Sequence, residues 1–201
     1  MLRRALLVFT AAAIGSTPLW AQQETRRVRA TIEKVDGSTL YVKTRDGEDL
    51  KITMADKPVI MAIIPATLAD LKPGTFVGSG ATPGADGSLV AMEVHIFPES
   101  MRGTGEGHRP MEGPPQATMT NANVDVSVGG VDGQVLTLKY KDGEKKLLVT
   151  PKTAIVAYTP GDRAELKPGI KIFIAAAQKQ PDGSLQAARV SYGRDGLTPP
   201  M

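Results

Sequence analysis

The sequence predicts an all-β protein: two tandem small OB-like β-barrels, each with one short helical turn. Three observations predict it. The chain is written twice, each copy carries Asp-Gly at three equivalent places, and apolar and polar residues alternate between those turns.

The repeat is explicit. VDGSTLYVKTRDGEDLKI (35–52) matches VDGQVLTLKYKDGEKKLL (131–148), and ADGSLVAMEVHI (85–96) matches PDGSLQAARVSY (181–192), both at an offset of 96. DLKPG (70–74) matches ELKPG (165–169) one residue closer. These matches divide the chain into a leader (1–21), repeat 1 (27–98), a Gly/Pro/Met-rich linker (99–121), repeat 2 (122–193) and a tail (194–201).

Each element follows from local chemistry. Asp-Gly at 36–37, 46–47, 86–87, 132–133, 142–143 and 182–183 predicts tight hairpins, since both residues accept the backbone that primed turns need. Leu40 and Val42, with Leu136 and Leu138 in repeat 2, alternate as the inward face of a strand. Met92, Val94 and Ile96, with Ala188, Val190 and Tyr192, predict a second such face, which turns Glu93 and His95 outward to solvent. Thr67-x-x-Asp70 and Asp162-x-x-Glu165 resemble a capping box, and Leu71 and Leu166 can anchor that turn inward. Lys-Pro-Gly then stops it. Three strands, a turn and two strands is the order of an OB-like barrel. A unit of about 70 residues buries little more than ~60% of its unfolded surface, so the two are expected to lean on each other.

The first residues read as a secretory signal: Arg3 and Arg4, eleven apolar residues from Ala5 to Gly15, and a small residue at Ala21. Eleven is short of the ~20 needed to span a bilayer, so the chain is expected in the periplasm, cleaved near Ala21, and not as an integral membrane protein. Losing Arg3 and Arg4 takes the formal charge from +3 to +1. A near-neutral chain without a cationic run lacks the footprint of a nucleic-acid binder. Zero cysteines means that it folds without disulfides.

The two copies control each other when sites are sought. Shared Asp-Gly turns are explained by the fold. No D-x-D-x-D-G calcium loop, G-x-S-x-G, H-E-x-x-H or phosphate-binding glycine loop is present, so no enzyme and no cofactor is expected. Unshared positions can carry a special function. His95 stands where repeat 2 has Ser191, and Glu93 where it has Arg189. The stretch PESMRGTGEGHRPMEG (98–113) is also unshared, and its glycines and prolines read as a tether. Its Met101, His108 and Met111 are ligand types for copper.

The pattern V-D-G … D-G-E … L-K-P-G … D-G-S-L-x-A-x-x-V resembles the bacterial exported proteins grouped as domain of unknown function 5666, and the likeness covers both repeats. It implies small OB-like barrels, single or in tandem, and transfers no catalytic residue. A metal-transporter permease label carried by some relatives does not suit a chain without multiple membrane spans.

The expected function is therefore a non-enzymatic periplasmic binding protein for an unidentified envelope component or polyanion. OB barrels bind on the face of strands two and three, which points to Tyr41, Lys43 and Arg45 and to Thr137, Lys139 and Lys141. Simple solvation of an outer sheet face accounts for the same cations. The alternative is copper-type metal handling through Met101, His108 and Met111.

Overall fold

The computed structural model describes residues 24–84, 87–130 and 133–200. The leader, Asp86 and Asp132 lie outside them.

Repeat 1 forms β1 (Thr25–Asp36), β2 (Thr39–Thr44) and β3 (Asp49–Pro65), a helical turn at Leu68–Asp70, then β4 (Phe76–Pro83) and β5 (Leu89–Ile96). A short β6 (Gly107–Pro110) follows. Repeat 2 forms β7 (Thr118–Gly130), β8 (Gly133–Tyr140) and β9 (Gly143–Val149). Then come β10 (Ala154–Pro160), a turn at Arg163–Glu165, β11 (Lys171–Lys179) and β12 (Leu185–Gly193). The all-β class and the element order are as predicted. In repeat 2 the third strand is divided into β9 and β10 around Pro151, which has no N–H to give to a ladder.

The hairpins follow the Asp-Gly signal. Gly37, Gly47 and Gly183 hold φ of 55°, 86° and 82°, a region that residues with a Cβ avoid. The turns hold as well. The Asp70 carboxylate accepts from Thr67 N and Oγ1, both at 2.8 Å, and Asp162 Oδ1 accepts from Ala164 N at 2.8 Å.

The barrels, however, are not the repeats. One barrel closes through β1–β2, β2–β3, β3–β12, β12–β11 and β11–β1. The other closes through β7–β8, β8–β9, β9–β5, β5–β4 and β4–β7. Each has the OB pairing order, but takes three strands from one repeat and two from the other. The helical turns exchange too: Leu166 packs in the core with Leu40, Val42 and Ile52, and Leu71 in the core with Leu136, Leu138 and Leu147. The division into barrels at 27–98 and 122–193 is thereby corrected.

The length of β3 explains the exchange. Seventeen residues at about 3.3 Å each extend roughly 55 Å, too far for one wall of a small barrel. Its first half pairs with β2, while Met61–Pro65 pairs with β10 and carries the chain to the second barrel. β12 and β5 flank this antiparallel pair, each parallel to its neighbour, so β12-β3-β10-β5 is a continuous strip joining both barrels. The arrangement is a pseudo-twofold about β3 and β10.

Residue facing departs from strict alternation at equivalent places. Register shifts at Gly80/Ala81 opposite β5, and between Ala187 and Arg189 in β12, put Ala91 and Ala187 inward in place of Met92 and Ala188. Such bulges re-aim the side chains that follow them. Here those are Glu93 and His95 on β5, and Arg189 and Ser191 on β12.

The expected tether at 99–121 is docked structure. Glu99–Met101 makes a helical turn with Met101 buried, and β6 pairs with β7 from Gly107↔Asn121 to Pro110↔Thr118. Arg102 fastens it, donating to Glu99 (2.6 and 2.7 Å), to the Gly74 carbonyl (3.0 Å) and to Asn123. The glycines that read as absent structure are its bends, with Gly103 and Gly105 at φ of 81° and 56°.

Candidate functional site

On the outer faces of β5 and β12, Glu93, His95 and Ser191 are buried while Arg189 stays exposed. The pseudo-twofold turns these faces toward a cleft between the barrels, and the 101–111 segment covers one side of it. Glu93 and His95 are 5% and 4% exposed, so the expectation of a solvated histidine is corrected: the neighbouring barrel buries it.

Two glycines make room for these side chains. β4 reads FVGSGATP, and a Cβ on Gly78 would fall 2.8 Å from Asn121 Oδ1 and 3.3 Å from His95 Nδ1. On Gly80 it would fall 3.0 Å from Glu93 Oε1 and 3.1 Å from the Met111 sulfur. Within the space so left, His95 Nε2 lies 3.1 Å from Glu93 Oε1. Phe97 stacks on Tyr158 with ring centres 5.4 Å apart, and His95 meets both rings edge-on. Burial, and then the Glu93 charge, push the Tyr158 hydroxyl well above its ordinary range, so it stays protonated beside its Ser191 partner.

The cleft has an inner compartment of about 170 Å³ and an open outer part of about 490 Å³. Arg27, Arg29, Glu93 and Met111 belong to both. Arg109 and Arg189 line the inner part, and Arg26 and Arg45 the outer. Burial, then the charges of Arg27 and Arg45, press the Arg29 pKa down. Burial, then Arg27, does the same to Arg109. Guanidinium groups stay charged regardless, so an anion in the cleft would meet them as cations. Against them stand Glu93, Glu112 and Asp46, with Glu112 3.6 Å from Arg27. One acceptor is unmet: Asn121 donates from Nδ2 to the Thr104 carbonyl at 2.8 Å, while its buried Oδ1 has no hydrogen-bond partner. An orphaned buried acceptor costs about 1–3 kcal/mol.

Most residues singled out by OB analogy lie elsewhere. The Lys34 ammonium sits over the half-buried Tyr41 ring at 5.4 Å, and Lys43 is neutralised by Asp49 at 2.6 Å and Glu33 at 3.9 Å. Lys139 and Lys141 are exposed on the other barrel. Arg45 alone reaches the cleft, at its outer rim, donating to the Pro199 carbonyl at 2.7 Å.

The copper trio is divided. Met101 and Met111 line the inner compartment with Met119. His108 bonds Thr120 Oγ1 at 2.9 Å and opens into a separate depression beside Tyr140, Asp142 and Lys145. Burial and then Lys145 hold its pKa down. Among the described residues no group of three or more His, Cys, Asp or Glu is placed to hold a metal ion.

Glu93, His95, Arg189 and Ser191 were signalled in the sequence as unshared repeat positions. Arg27, Arg29, Arg109 and Asn121 carried no signal, because only the exchange of strands brings them together. Comparison with family models, with curated proteins and with solved structures returns no match.

Proposed function

We propose that this protein is a non-enzymatic binding protein that holds an anionic ligand in the cleft between its two barrels, and that it acts in the periplasm after losing residues 1–21. The supporting observation is the convergence of Arg27, Arg29, Arg109 and Arg189 on one compartment that a single carboxylate, Glu93, also lines. Arginine forks suit carboxylate and phosphate groups, and a cleft between low-dielectric walls strengthens their field. The non-enzymatic reading is supported by how the polar groups are spent. His95 Nε2 turns to Glu93, and Ser191 serves Tyr158, so these groups form no nucleophile–base pair.

Charge also weighs against metal handling, although three thioethers and an imidazole share the compartment. A like charge at ~8 Å opposes a bound cation by about 2 kcal/mol at an effective dielectric near ~20, and four guanidinium groups surround this space.

Calorimetric titration with pyrophosphate tests the reading. Arg27→Gln and Arg189→Gln should each weaken binding about ten-fold, in line with a charge-assisted hydrogen bond, and added salt should weaken it further. Affinity unchanged in both variants would remove the cleft as the site.

A further inference from the structure

We infer that the ligand is a hydroxylated carboxylate of the acid-sugar class, with its carboxylate on the arginines and its hydroxyls donating to Asn121 Oδ1 and Glu93. The inference rests on the anionic-ligand reading above and narrows it.

The inner end of the cleft asks for hydrogen-bond donors. The bond from Asn121 Nδ2 to the Thr104 carbonyl fixes which end of the amide is oxygen, and that oxygen is buried without a partner. Asn121 as a whole is 5% exposed and lines the inner compartment. Buried acceptors in folded proteins are nearly always paired, which marks this one as awaiting a donor. The Glu93 carboxylate, also 5% exposed, is an acceptor as well. The cleft therefore presents cationic donors and buried acceptors side by side.

Three ligand chemistries compete for such a site. A fully ionised phosphate or sulfate brings acceptors only, so it satisfies the arginines, leaves Asn121 unmet and is repelled by Glu93. An acidic amino acid such as glutamate brings donors and one net negative charge, but its ammonium faces four guanidinium charges. A sugar acid brings net negative charge together with uncharged donors, which matches both needs. Met101, Met111 and Phe173 offer apolar surface to the C–H faces of its ring. The 170 Å³ compartment opens into the 490 Å³ outer cleft, a shape for one acidic residue inside and the next one outside.

Calorimetry of the whole chain with digalacturonate, pyrophosphate, glutamate and maltose decides between them. Digalacturonate should bind tightest, and Asn121→Leu should weaken it about ten-fold while changing pyrophosphate less than about two-fold. Should that variant fail to fold, Glu93→Gln supplies an independent readout: digalacturonate weakened, pyrophosphate strengthened. Pyrophosphate or glutamate binding as tightly as digalacturonate, or Asn121→Leu affecting both anions equally, would overturn the inference. Pyrophosphate binding that is lost in Arg189→Gln, with no digalacturonate binding, would overturn it and leave the anion reading standing. Binding of none of these anions would overturn both.

Discussion

Glu165 and Arg194 form an ion pair that ties the helical turn of the first barrel to the end of β12. Arg194 donates to both Glu165 oxygens, at 3.0 and 2.8 Å, and to the buried Tyr192 hydroxyl at 3.2 Å. The Arg194 fork, then the Tyr192 hydroxyl, pull the Glu165 pKa from 4.5 to about 2. A carboxylate depressed in the folded state stabilises it above the ordinary carboxylate range, and that contribution is lost as pH falls. The loss should run from pH 4.5 down to about 2. Glu165→Gln should lower stability at neutral pH and flatten this part of the acid limb, as read by urea unfolding at a series of pH values. Parallel acid limbs in variant and parent would contradict it. The capping-box pattern placed Glu165 on its turn, but its partner Arg194 lies beyond the repeat and was not legible beforehand.

At the scale of elements, β4 shapes the site through what it lacks. Gly78 and Gly80 alternate with the buried Ser79, and their missing side chains are the space that Asn121, His95, Glu93 and Met111 occupy. Gly78→Ala should shift Asn121, and Gly80→Ala should press on Glu93 and Met111, each costing about 1–3 kcal/mol by overpacking. Both should weaken pyrophosphate binding, whereas Gly129→Ala, whose added Cβ would meet nothing within 4 Å and whose φ is not positive, should leave binding unchanged. Thermal unfolding and calorimetry together check this. The docked 99–117 segment yields a related expectation. Arg102→Ala should speed proteolytic cleavage among the exposed residues 102–106, because the guanidinium that ties the segment to Gly74 and Asn123 is gone. An unchanged cleavage rate would show that β6 pairing alone holds the segment.

At the scale of the molecule, strand exchange makes the two repeats one folding unit. Fragments 24–98 and 99–200 each lack two strands and the plugging turn of one barrel and three strands of the other, and neither buries a complete core. Each should be largely unfolded alone by circular dichroism, and mixing them should restore the β spectrum. A stable isolated fragment would show that the repeats can close on themselves. Export belongs to this scale as well: N-terminal sequencing of protein from the periplasmic fraction should begin at Gln22.

The sequence by itself determined the all-β class, the strand order, the hairpins and the helical turns. Those are local properties: alternation in Leu40 and Val42, positive φ at Gly37, the Asp70 carboxylate capping Thr67 three residues away. Tertiary structure alone decided which strands share a barrel, and hence that Glu93 and His95 line one cleft with Arg189 and Ser191. The physical reason is degeneracy. The repeats carry the same apolar pattern, so β4 and β5 could pair with β1 and β3 or with β7 and β9 through the same kind of backbone ladder and equally apolar cores. The choice falls to the reach of β3 and its pairing with β10, which no local pattern encodes.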